Sequence, residues 1–201
     1  MKKFILGTKQ NMTQYWGEDG KVSPATVVVA GPITVTQVKT NDKDGYTALQ
    51  VGFGDQKKER LSKSVLGHTK DAAYKTLREF RAEDAGKAVG DIIDVSAFEK
   101  GDMVVVAGIS KGKGFQGVVK RHGFHGDKRT HGRKHSERKP GSIGGGLRTR
   151  VPKGMRMAGR MGNDRVSVKN LEVLLVDKAT NTILIKGALP GRRGTLLEIT
   201  A

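Results

Sequence analysis

Residues 111–163 read KGKGFQGVVKRHGFHGDKRTHGRKHSERKPGSIGGGLRTRVPKGMRMAGRMGN. From Lys111 to Arg165 there are 16 lysines or arginines, opposed only by Asp127, Glu137 and Asp164. The cations are Lys111, Lys113, Lys120, Arg121, Lys128, Arg129, Arg133, Lys134, Arg138, Lys139, Arg148, Arg150, Lys153, Arg156, Arg160 and Arg165. His122, His125, His131 and His135 lie among them. Glycine is frequent, and large apolar residues are few: Phe115, Phe124, Ile143, Leu147 and some valine and methionine. Such a stretch cannot bury enough apolar surface to offset the entropy of ordering itself. It is disordered alone, or it is ordered by a partner that supplies negative charge.

What flanks the stretch decides the fold. Before it, Phe4–Lys9, Ala25–Ala30, Ile33–Val38 and Tyr46–Phe53 carry β-branched runs or strict apolar–polar alternation, the period-2 signature of strands. Breaks fall at Tyr15–Gly20, Gly31–Pro32 and Asn41–Gly45. Four β runs joined by short turns predict an antiparallel sheet that curls into a barrel. Residues 69–80 instead fit a helix with Ala73, Leu77 and Phe80 on one face, although Leu77–Arg81 also fits an edge strand. Asp91–Val95 and Met103–Ile109 return to β structure. Beyond the basic stretch, Arg165–Val168, Leu171–Asp177, Thr182–Lys186 and Thr195–Ile199 are further strands, with turns at 178–181 and 190–194. The basic stretch is therefore bracketed by β structure and reads as a long insertion into one barrel. Trp16, Phe53 and Phe80 are expected in the core or at the barrel edge.

Composition narrows the function. The chain has 201 residues and a formal charge of +17. The stretch from Lys111 to Arg165 holds +13 of it. Such a concentrated run is the footprint of nucleic acid or another polyanion. There is no cysteine, which excludes disulfides and thiolate metal sites and fits a reducing compartment. The start, MKKFILGTKQNM, lacks a signal-peptide apolar segment, and no run approaches the roughly 20 apolar residues of a membrane helix. The expectation is a soluble cytoplasmic protein.

Gly112–Val119 matches GxGxxGxV, a pattern shared by kinase phosphate loops and, in part, dinucleotide-binding turns. The dinucleotide version needs a helix opening at Gly117, which Val118, Val119 and Gly123 disfavour. The kinase version needs His-Arg-Asp and Asp-Phe-Gly triplets, and the chain has neither. Glycines that let backbone approach phosphate between Lys111 and Lys113 are the better reading. The four histidines, with His131 and His135 four apart, could suggest a metal. Their cationic flanks oppose a dication, and no cysteine completes a zinc set. Contact with unpaired bases and phosphates suits them better.

At SKGKGFQGVVKRHGF (Ser110–Phe124), THG (Thr130–Gly132), PGSIG (Pro140–Gly144) and KGMRMAGRMGNDRVSVKNL (Lys153–Leu171) the chain resembles the family of the third protein of the large ribosomal subunit, bacterial type. GTKQNMT (Gly7–Thr13), DGY (Asp44–Tyr46) and IKGALPG (Ile185–Gly191) extend the resemblance over essentially the whole chain. It implies a mainly β protein: a six-stranded barrel of the elongation-factor type, with a long basic loop and a small helical segment near 66–83. The barrel would span 1–112 and 163–201, and the insertion 113–162 would penetrate RNA. Its tip, Gly144, Gly145, Gly146, Leu147, Arg148 and Arg150, would lie near the peptidyl-transferase centre.

The resemblance further implies a non-enzymatic structural constituent of the large subunit that supports its assembly. Its partners would be large-subunit ribosomal RNA and neighbouring ribosomal proteins, in the cytoplasmic ribosome, with no membrane, small-molecule substrate, cofactor or metal. The RNA-binding set is Lys111, Lys113, Lys120, Arg121, His122, His125, Lys128, Arg129, His131, Arg133, Lys134, His135, Arg138, Lys139, Arg148, Arg150, Lys153, Arg156 and Arg160. Many relatives carry a methylated glutamine after PGSIG. Here that place reads Gly145-Gly146-Leu147-Arg148, so the modification does not carry over. Two other classes remain: a free-standing RNA chaperone or translation factor, and a nucleotide-dependent RNA-modifying enzyme using the Gly112 loop.

Overall fold

A computed structural model describes residues 3–81, 86–145 and 149–201. They fall into two compact units, one made of the chain up to Ile109 with Arg165–Ala201, the other of Ser110–Asp164. In chain order the strands are β1 (Phe4–Trp16), β2 (Val22–Ala30), β3 (Ile33–Lys39), β4 (Ala48–Asp55), β5 (Tyr74–Phe80), β6 (Ile92–Ile93) and β7 (Met103–Ile109). They continue as β8 (Phe115–Gln116), β9 (Gly159–Arg160), β10 (Arg165–Asp177), β11 (Thr182–Lys186) and β12 (Leu196–Thr200). The described residues also form three short α-helices, α1 (Asn41–Asp44), α2 (Lys63–His68) and α3 (Val118–His122), and 3-10 turns at Lys58–Arg60 and Val95–Ala97.

In the first unit six strands close into a barrel in the order β1-β12-β7-β10-β11-β2. The strand pattern explains the closure. Leu197 and Ile199 on β12, Ile183 and Ile185 on β11, and Val104 and Val106 on β7 are buried, and the residues between them face outward or are only partly covered. Glycine is required where β1 crosses β2, because a Cβ at Gly7 would lie 2.7 Å from Val28 Cγ1. The expected strands at 165–168 and 171–177 are one strand, β10, kinked by a bulge at which Asn170 takes φ 56°. β1 likewise runs through its own bulge to Trp16, well past Lys9. Trp16 is not a core residue: it is 66 % exposed, close to the turn into β2.

Two further expectations need correction. The four early β runs do not share one sheet. β1 and β2 join the barrel, whereas β3 and β4 form a separate sheet with β5 and β6, in the order β5-β4-β3-β6. Gly31, at φ 68°, and Pro32 turn the chain out of the barrel between β2 and β3. This sheet packs on the barrel through one continuous core that includes Ile33, Val35, Leu49, Val51 and Phe80, and the Phe4 and Phe80 rings stack at 4.5 Å.

Residues 69–80 are not a helix. The helical segment is α2, earlier in the chain, with Ser62 Oγ accepting the Val65 amide; it ends before Lys70 and Asp71, which take φ 51° and 65°. Tyr74–Phe80 then pairs with β4, with Leu49 opposite Phe80 and Phe53 opposite Thr76. The edge of β4 offered seven residues a hydrogen-bond ladder and a buried place for Phe80, which outweighs a weak helical preference. The part of the expected helical segment at 82–83 lies outside the described residues.

Candidate nucleic-acid interface

The second unit begins as a two-stranded neck. Ser110 N donates to Asp164 O (2.9 Å), Lys113 N to Met161 O (2.9 Å) and Met161 N to Gly114 O (3.0 Å). β8 and β9 then pair, with Phe115 opposite Arg160. The neck needs a glycine at its base. Gly162 has φ 76°, and a Cβ there would run into the Lys111 carbonyl oxygen.

Contrary to expectation, the glycine motif does open a helix, with Gly117 as its N-cap. Val118 favours it by burying its side chain, but Gly123, left-handed at φ 73°, stops the helix after five residues. The preceding strand is only two residues long and antiparallel, so no dinucleotide-type βαβ unit is formed.

The basic residues divide into two groups. Arg121 Nη1 donates to Met157 O (2.7 Å), and the His122 ring nitrogen Nε2 lies 3.1 Å from the same oxygen. Both residues are half-buried and hold the returning chain. Gly159 lies beneath the guanidinium, where a Cβ would come 2.8 Å from Arg121 Nη1. Further out, Arg133 Nη1 bonds Asp127 Oδ2 (2.5 Å) and Arg129 pairs with Glu137. The Arg133 guanidinium holds the Asp127 carboxyl below the usual carboxylate range. Asp127 N also donates to Glu137 O (3.0 Å), so these two acids cross-brace the loop.

Lys111, Lys113, Lys120, Lys128, Lys134, Arg138, Lys139, Arg150, Lys153, Arg156 and Arg160 are all exposed, and among the described residues none has an ion-pair partner. His125, His131 and His135 are exposed too, and His131 and His135 sit in turns, without a common helical face. Among the described residues no group of three or more His, Asp or Glu could hold a metal ion, and no helix is long and apolar enough to cross a membrane. Gly144, Gly145 and Arg150 are exposed, whereas Gly146, Leu147 and Arg148 lie outside the described residues.

One residue absent from the predicted set stands out. Phe115, on β8, is 76 % exposed between the Lys113 and Lys120 cations. An aromatic face in a cationic neck offers a base a stacking surface. Its position inside the glycine motif was the available signal.

The model of the family described as ribosomal protein L3 matches residues 32–183. The large ribosomal subunit protein uL3 of Herpetosiphon aurantiacus is 49 % identical over 200 residues, covering 98 % of this chain and 94 % of the relative. Its counterpart from Geobacter sulfurreducens is 48 % identical over 204 residues, covering 99 % and 97 %. With matches of this depth over nearly its full length, on a closed six-stranded barrel that carries a basic unit between β7 and β10, the chain belongs to the ribosomal protein L3 family of large-subunit structural proteins.

Proposed function

We propose that the chain binds large-subunit ribosomal RNA through the insertion 113–162, with the barrel domain, residues 1–112 and 163–201, as its rigid anchor. The observation that carries this is the set of eleven exposed cations between Lys111 and Arg160 that have no ion-pair partner among the described residues. Held together in water, they repel one another with little buried apolar surface to compensate. Crowded RNA phosphates turn that repulsion into attraction and release counterions on binding. Arg121 and His122 keep the outgoing and returning chains together, so the cations enter RNA on a braced support. In this role the protein supports subunit assembly and carries out no chemistry of its own.

The segment Gly144–Arg150 extends towards the peptidyl-transferase centre, where it positions RNA phosphates. Glycines carry no acid or base, and arginine stays protonated at any relevant pH. The chain has no cysteine, so Thr149→Cys creates a unique attachment point on an exposed residue. A short photo-crosslinker there, in assembled large subunits, should label RNA of the catalytic centre. Labelling confined to RNA remote from that centre would overturn the tip assignment. Failure of the purified protein to bind large-subunit RNA would overturn the whole reading.

A further inference from the structure

We propose a second phosphate-binding site, on the barrel itself, at the turn between β11 and β12. This inference deepens the RNA-binding reading and rests on it. The turn reads Ala188-Leu-Pro-Gly-Arg-Arg-Gly-Thr195 and is fixed to β1 at both ends. Lys9 Nζ donates to Leu189 O (2.6 Å) and Gly191 O (3.0 Å). Gly194 N donates to Lys9 O (2.8 Å), and Lys9 N to Thr195 O (2.9 Å). Leu189 is buried in the core. Gly191 takes φ 84°, and a Cβ there would lie 2.5 Å from Thr195 Oγ1 and 2.7 Å from Ile109 O. No side chain fits there, and the bonds to Lys9 tie both ends of the turn to β1.

The turn presents Arg192 and Arg193 side by side and exposed at its apex. Among the described residues neither has an ion-pair partner. Arg193 Nε donates to Gln10 Oε1 (3.2 Å), which orients its guanidinium. The adjoining strands add positive charge. Leu197 on β12 pairs with Gly108, and Ile109 with Arg165. Glu198 is shared by Arg165 (2.5 Å) and Arg78 (3.3 Å). The Glu198 carboxylate is thus already occupied in pairing with these two arginines.

The turn is held by Lys9, Leu189 and Gly191, and the one bond from Arg193 to Gln10 leaves Arg192 and most of the Arg193 guanidinium unused. A phosphodiester backbone does have a use for them. Planar guanidiniums take phosphate oxygens two at a time, and a rigid support lowers the entropy lost in doing so. The apex offers charge and no aromatic side chain, so it serves affinity and orientation without reading bases.

The test measures the salt dependence of binding between the purified full-length protein and transcribed large-subunit ribosomal RNA. Arg192→Ala with Arg193→Ala should lower the log–log slope by about 1.4–1.8, from roughly 0.7–0.9 per phosphate contact, with the thermal midpoint unchanged. Arg192→Lys with Arg193→Lys should keep the slope, since the charge remains. Lys113→Ala with Lys120→Ala serves as the comparison in the insertion. If only the insertion variant lowers the slope, the barrel site is wrong and the RNA-binding reading stands. A lysine pair that behaves like the alanine pair would assign the effect to turn conformation and would also overturn the site. If neither alanine variant changes the slope, both readings fail.

Discussion

Removing the second unit should leave the first one folded, and the register shows how to do it. Ile109 and Arg165 face each other as a β7–β10 pair, so an Asn-Gly turn replacing Ser110–Asp164 joins them as an ordinary two-residue hairpin. The closure entropy of a loop grows as about 1.5 RT ln n, so shortening 55 residues to two removes on the order of 2–3 kcal/mol of cost. Bonds across the neck, such as Ser110 N to Asp164 O, already offset part of that cost in the parent. At about 2–4 °C per kcal/mol, the shortened protein should melt between the parent midpoint and roughly 10 °C above it. Calorimetry with urea titration reads this out, and a single sharp transition is expected. The buried cluster from Phe4 through Ile199 lies wholly outside the excised segment. A broad, non-cooperative transition, or a midpoint well below the parent's, would show that the barrel needs the insertion to fold.

Three further outcomes can be checked independently. With all eleven exposed cations between Lys111 and Arg160 engaged, they should contribute about −8 to −10 to the slope of RNA affinity against salt at 0.7–0.9 per contact, and a nearly flat dependence would exclude a polyanion partner. Phe115→Ala should instead weaken binding by about 1–3 kcal/mol with the slope unchanged, because it removes a stacking face and no charge. Leu197→Ala should cost about 2–5 kcal/mol in denaturant titrations, since the side chain is fully buried inside the barrel.

Stability should also fall in acid. The Lys39 ammonium and Tyr46 hydroxyl hold the Glu79 carboxyl below its ordinary value, and Lys3 does the same for Asp102. Carboxyls depressed in the folded state stabilise it above their unfolded pKa, and that contribution is lost as pH falls through the folded value. The thermal midpoint should therefore hold from neutrality to about pH 5 and decline below about pH 4. Glu79→Gln with Asp102→Asn should flatten the decline.

The sequence alone determined which part of the chain builds a core and which part carries charge. Continuous runs of valine, isoleucine and leucine mark β7 and β11 wherever they fold, and a run rich in cations and glycine cannot build a core in any fold. Tertiary structure decided partner choice. Nothing local in Ile33–Lys39 says that this strand leaves the barrel for a second sheet, and nothing in Tyr74–Phe80 excludes a helix until β4 offers its open edge. Charge behaved in the same way. The cations of the insertion look alike in sequence, yet Arg121 braces Met157, Arg133 holds Asp127, and Lys113 is exposed with no ion-pair partner among the described residues. The turn that presents Arg192 and Arg193 is fixed by Lys9, about 180 residues earlier in the chain. A local pattern records what each residue prefers, whereas hydrogen-bond partners across a closed barrel depend on segments far apart in sequence.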